Sequence, residues 1–220
     1  MDVPIVLAPM AGVSTADLVA AVSNAGGLGM FGAGMMAAEV LREHVKSIKK
    51  KITRAGALYG VNLFVPSGFL VDDTTQWTKE QWAAVRIMRN EIQGAFDMLA
   101  KDPTVSKAQL INLQKDTPTG FDEVLDYYTQ LFERQIDVVV EERVPVVSFH
   151  FGWPPATVVS RLRGASCFLM GCATNVPEAL WLRDCGADAI IVQGSEAGGH
   201  QGTFMSNIQP SFEGWRFRTF

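Results

Sequence analysis

Short apolar runs alternate with longer stretches of helical period along the chain, and the alternation repeats six times. The runs are "PIVLA" (4–8), "LGMFG" (28–32), "YGVNLF" (59–64), "VPVVSFHF" (144–151), "SCFLMG" (166–171) and "AIIVQG" (189–194). Their length and β-branched or apolar content predict strands, and their lack of a polar face asks for cover on both sides. Between them the pattern predicts helices over about 15–24, 37–53, 121–142, 155–163 and 176–184, with Gly26 and Gly186 as stop signals. Strand–helix alternation of this kind predicts an α/β fold with a parallel sheet. One segment breaks the rhythm: residues 66–118 read as an insertion on a βα loop, with an amphipathic helix at 79–100. Such an insertion serves as a lid or dimer contact, or as a surface excursion without catalytic work.

Composition narrows the partners. At 220 residues, 48% hydrophobic and 19% charged, the chain is expected to form one domain, 1–220, around one sizeable core. A net charge of −4 without a long Lys/Arg run speaks against nucleic acid or an anionic membrane surface as partner. Cys167, Cys172 and Cys185 form no C-x-x-C pair, so neither a disulfide framework nor a metal site is expected. The acidic start "MDVPIVLAPM" and the lack of an apolar run of about 18 residues predict a soluble, cytoplasmic protein.

Polar residues and glycines gather where the predicted strands end: "APMAG", Asn62, "HFGWP", "GCATN" and "QGSEAGGHQG". In parallel α/β folds the carboxyl ends of the strands form the ligand face. The glycines of "GGLGMFG" have G-x-G-x-x-G spacing, but they close a helix and run through the second strand. A dinucleotide fingerprint follows the first strand and opens a helix, so a tight helix-to-strand turn with close backbone packing is preferred. His200, among Gly198, Gly199 and Gly202, has no bulky sequence neighbours, and an ordinary pKa of about 6.5 suits proton abstraction. His150 fits a substrate contact or a satisfied core histidine, and His44, on a charged helix, reads as solvated. Asn62 and Gln193 place amides on buried strands, where each needs either a heteroaromatic ring edge or a backbone partner. Pro9 and Met10 offer an apolar ledge for a flat ring or ordinary loop packing.

In this order, "PIVLAPMAG", "NAGGLGMFGAG", "YGVNLFVP", "VVSFHFG" and "GADAIIVQGSEAGGHQGTF" resemble the nitronate monooxygenases, formerly 2-nitropropane dioxygenases, of the class I type. The resemblance implies a TIM-type (β/α)8 barrel that binds FMN and oxidises alkyl nitronates, such as propionate 3-nitronate, with O2 to a carbonyl compound and nitrite. It implies that Ala8, Pro9, Met10, Asn62 and Gln193 meet the flavin ring while Gly198 and Gly199 pass beneath it. It makes His200 the base for neutral nitroalkanes and His150 a second pocket histidine near the nitro group. Six βα units fall short of eight. Where the family continues with two further units and the turns that hold the FMN phosphate, this sequence reads "MSNIQPSFEGWRFRTF". It therefore reads as a family member truncated at the C-terminus, whose open strand edges invite pairing with another chain and leave homo-oligomerisation open. Two alternatives remain at this point: an FMN-dependent NAD(P)H:quinone or enoyl reductase of the same fold, and an inactive truncated member.

Overall fold

The computed structural model describes residues 1–66 and 121–205. The expected insertion at 66–118, with its helix at 79–100, lies outside the described residues apart from Pro66. The chain divides into two units, Met1–Leu70 with Thr129–Phe220, and Val71–Tyr128. All the described strands belong to the first.

Elements follow the order α1 (Ala16–Asn24), β1 (Gly29–Gly34), α2 (Ala38–Lys51), β2 (Tyr59–Phe64), α3 (Phe121–Glu141), β3 (Val146–His150), α4 (Ala156–Gly164), β4 (Phe168–Ala173), α5 (Val176–Asp184) and β5 (Ala189–Val192). The strands form one parallel sheet in the order β1-β2-β3-β4-β5. A parallel sheet flanked by helices is consistent with part of a (β/α) barrel, five strands of eight being present among the described residues.

The helices form where local chemistry starts and stops them. Thr15 caps α1 by accepting from the Leu18 N–H, and Asn175 caps α5 by accepting from the Glu178 N–H. In α2 the buried positions Ala38, Leu41, Val45 and Ile48 recur at helical spacing, while Lys49, Lys50 and Lys51 oppose the negative end of the helix dipole.

The first expected strand is a correction. "PIVLA" makes a single bridge, Val6 to Leu28, and is not a strand. Among the described residues it has a neighbour on one flank only, and Ile5 and Val6 are exposed. Its backbone still follows β1, with Leu7 N–H donating to Leu28 O and Leu28 N–H to Ile5 O. The strand expected at 166–171 begins later, because Ser166 takes a turn conformation with φ 62° after α4.

Strand alternation separates two faces. Val61, Leu63, Val147, Phe149 and Leu169 join Leu41, Val45, Ile48, Ile136, Val139 and Leu162 in the main core. The opposite face carries a smaller cluster of Leu28, Met30 and Val146, with Met170 against it. Asn62 and Ser148 are in register beyond that cluster, so the strands are not apolar on both faces as their sequence suggested.

Candidate functional site

The glycines of "GGLGMFG" serve close packing. A Cβ on Gly27 would lie 2.8 Å from the Ile5 carbonyl oxygen, and one on Gly32 would lie 3.0 Å from the backbone nitrogens of Met10 and Ala11. The bareness of Gly32 therefore lets the loop after Ala8 lie directly on β1. Ser14, buried although polar, fastens it there. Its hydroxyl donates to Met10 O (2.8 Å) and accepts from Met10 N–H (2.9 Å) and Gly32 N–H (3.2 Å). Met10 remains 40% exposed, which leaves its side chain usable as a ledge.

Gly32, Asn62 and Ser148 share one register row across β1, β2 and β3. The buried Asn62 amide donates to Ser148 Oγ (2.9 Å) and Ser148 O (3.3 Å). A cross-strand partner thus satisfies the Asn62 donor, and the amide oxygen retains acceptor capacity.

Further along the strands, His150 and Phe64 close β3 and β2 and pair in register. His150 Nε2 lies 3.0 Å from His200 O, and a carbonyl only accepts, so Nε2 carries the proton and donates. Burial holds the His150 pKa below the usual histidine value, the bond to the His200 carbonyl opposes this, and the nearby His200 imidazole adds a smaller downward push. The ring is accordingly neutral near pH 7. Phe64 and Phe151 stand edge-on to the His200 ring at centroid distances of 6.0 and 6.1 Å. Phe151 holds φ at 65°, a left-handed conformation costly for a bulky residue, at the turn that leaves β3 for the site.

Gln193 organises the following loop. Its backbone N–H continues the sheet to Ala173 O (2.9 Å). Its side-chain Nε2 donates to His200 O (2.8 Å), and its Oε1 accepts from Gly202 N–H (2.8 Å). The His200 carbonyl thus receives two donors, His150 and Gln193. Cys172 Sγ, 3.9 Å from Gln193 Oε1, stays a thiol, burial pushing its pKa up to about 11 with the Glu178 charge adding to the effect. Between the clamps, Gly198 and Gly199 are exposed, and a Cβ at either would meet nothing within 4 Å. Gly199 has φ 81°, so a side chain there would be strained by the backbone rather than by its neighbours.

The structure thus brings His150, His200 and Gln193 into direct contact, joins Met10 to the Asn62 row through Gly32 and Ser14, gives Ala8 and Pro9 no such link among the described residues, and leaves Gly198 and Gly199 open. Sequence reasoning missed Ser14, Ser148, Phe64, Phe151 and Glu178. Small or acidic residues inside ordinary helical and strand patterns carry no signal by themselves, whereas "NVPE" at 175–178 is a capping-box spacing that could have drawn attention to Glu178. His44 is half-buried with its ring 4.7 Å from Phe31, so it packs on β1 instead of being merely solvated. Among the described residues no group of three or more His, Cys, Asp or Glu could hold a metal ion, and no helix is long and apolar enough to cross a membrane.

A helix-flanked parallel sheet with polar groups and glycine loops gathered at its carboxyl ends is the architecture of an α/β protein, in which such ends commonly form the ligand face. The family description "Nitronate monooxygenase" matches residues 1–213, and the chain belongs to that family. It is 35% identical over 203 residues to a probable nitronate monooxygenase of Staphylococcus haemolyticus, covering 92% of this chain and 48% of the relative. A probable nitronate monooxygenase of Staphylococcus saprophyticus is 36% identical over 206 residues, with 91% and 48% covered. Among solved structures, nitroalkane oxidase from Streptomyces ansochromogenes superposes with a TM-score of 0.61 at 35% identity, over 92% of this chain and 49% of that one. FabK from Thermotoga maritima, at 24% identity and a TM-score of 0.55 over 92% and 44%, shares the fold. The chain spans about half the length of the curated relatives it matches.

Proposed function

We propose that the protein works as an FMN-dependent oxidoreductase that converts alkyl nitronates, such as propionate 3-nitronate, with O2 into a carbonyl compound and nitrite. The observation that carries this reading is the meeting of two histidines with the Gln193 amide at the strand ends, where one carbonyl, that of His200, takes both His150 Nε2–H and Gln193 Nε2–H. Family membership supplies the reaction class.

The residues fit a flat heterocycle with donors and acceptors on its edge. Open space at Gly198 and Gly199 admits a ring without side-chain collision, and the exposed Met10, next to Ala8 and Pro9, supplies an apolar ledge. The Asn62 oxygen and the capacity left on the Gln193 amide address its polar edge. Bound there, FMN supplies the redox capacity that none of these side chains has.

A nitronate is already an electron-rich carbanion equivalent and needs no base. A neutral nitroalkane must first lose its α-proton, and in this reading the His200 ring takes it. His150 commits its N–H to the His200 carbonyl and so acts here by holding the base-bearing loop rather than by donating to a nitro group.

Purified protein should be yellow, with an oxidised-flavin absorbance spectrum, and should release nitrite from a nitronate under air without NAD(P)H. Oxidation of NADH much faster than nitronate turnover would replace this reading with a reductase. A colourless protein that takes up no FMN in equilibrium dialysis would refute it.

A further inference from the structure

We propose that Glu178 is a positioning residue for the loop that carries His200, an inference that rests on the function proposed above. Glu178 is a fully buried carboxyl group at the third position of α5, away from the two histidines. In a capping box its carboxylate would turn back to the N–H of the capping residue, here Asn175. It turns elsewhere. Oε2 accepts from Thr174 N–H (2.7 Å) and Thr174 Oγ1–H (2.8 Å), while Oε1 accepts from Phe204 N–H (2.9 Å) and Met205 N–H (3.1 Å). One carboxylate therefore ties the end of β4 to the far end of the loop.

The other end of the loop is fastened to the same place. Gln193 N–H donates to Ala173 O, the residue before Thr174, and the two hydroxyls Thr174 Oγ1 and Thr203 Oγ1 lie 3.0 Å apart. Residues 193 to 205 thus form a closed loop whose two feet stand on Ala173–Thr174. The Phe204 ring, 5.3 Å from Trp181 on α5, seats the second foot. Inside the loop Gln193 grips His200 O and Gly202 N–H, whereas among residues 194–199 Ala197 N–H to Gly194 O is the one internal backbone bond. The feet, the Gln193 grip and the His150 bond to His200 O all bear on the position of His200. Glu178 supplies the foot that Gln193 does not reach.

The test combines amide hydrogen exchange on the full chain with a comparison of two substrates. In Glu178→Gln one acceptor oxygen becomes an N–H2 facing N–H donors, and exchange at Phe204 and Met205 should accelerate by roughly 10–100-fold, the range for losing a hydrogen bond to a charged group. Glu178→Asp keeps the charge but loses reach, and should show the same signature. Because His200 is asked for a proton transfer only by neutral nitroalkanes, kcat/KM for a nitroalkane should fall further than for its nitronate. Thr203→Val, at an exposed position, should show both effects more weakly and serves if the Glu178 variants fail to fold.

Unchanged exchange over residues 200–205 in the variants overturns the proposal. So do faster exchange and equal losses with both substrates, which would make Glu178 structural only. If the unmodified protein turns over no nitronate, the proposed function fails separately, and the exchange measurement still decides whether Glu178 tethers the loop.

Discussion

Two loops at the carboxyl ends of the strands, one against β1 and one after β5, are held by opposite means. The loop after Ala8 lies on β1 through backbone contact at Gly32, and the buried Ser14 hydroxyl closes three hydrogen bonds, two to Met10 within the loop and one to Gly32 on β1. The loop from Gln193 to Met205 is exposed along most of its length and is gripped by side chains from its two feet, Gln193 and Glu178. The first is a platform whose rigidity comes from packing. The second is a strap whose shape comes from a few polar contacts. A ledge for a cofactor ring asks for the former, and a base that must meet a substrate asks for a segment with open space around it, as at Gly198 and Gly199.

The largest effect that would break this comparison is chemical. His200→Asn should depress turnover of a neutral nitroalkane by ~10²–10⁴-fold, the usual contribution of a general base, with a much smaller loss on the nitronate. Steady-state kinetics with both substrates checks this, and equal losses would make the strap a binding element instead.

Next in size, Ser14→Ala should destabilise the protein by about 2 kcal/mol, because it strands the Met10 and Gly32 N–H groups at a buried position. Gln193→Ala should cost less in a urea melt, since water can replace bonds at a half-buried side chain. A larger loss at Gln193 than at Ser14 would reverse the assignment of platform and strap.

Within the strap, Gly199→Ala should cost about 1 kcal/mol from its left-handed backbone alone, while Gly198→Ala, with open space and no such conformation, should be near neutral. Thermal or urea unfolding of the two variants separates backbone strain from collision.

The smallest effect is a pH dependence. The His150 pKa is lower in the folded than in the unfolded chain, so the unfolded state binds the proton first as pH falls. Stability should therefore be independent of this group above its unfolded value of about 6.5 and should decline as pH drops below it, levelling off beneath the folded pKa. His150→Gln should flatten that decline in unfolding curves taken from pH 7.5 to 5. Glu142, whose carboxylate is held low mainly by its hydrogen bond from Lys49, acts in the same direction at lower pH: its stabilisation is present above the ordinary carboxylate range and is lost as pH falls through it.

Periodicity made most of the scaffold legible. The five helices expected between strands match α1 to α5 to within a few residues, and "YGVNLF" coincides with β2. These elements are short-range facts: capping residues, helical spacing of apolar positions and β-branched runs act within a turn or two. "PIVLA" failed as a strand because strand character needs partners, and composition cannot count them.

For the site, the residue types that could serve a ligand were visible as a histidine among glycines, amides on apolar strands and a Pro–Met ledge. What each of them does depended on distant partners. Asn62 found Ser148 across a strand pair, Gln193 turned its amide onto its own loop, and His150 spent its N–H on the His200 carbonyl. Glu178 reached Phe204 and Met205, a pairing no local pattern announces. The sequence by itself determined the α/β alternation and which side chains stand at the strand ends, because backbone propensity and side-chain spacing are local. Only the tertiary structure decided which donors remain for a ligand, because each polar group is claimed by whichever partner the folded chain brings within hydrogen-bonding distance.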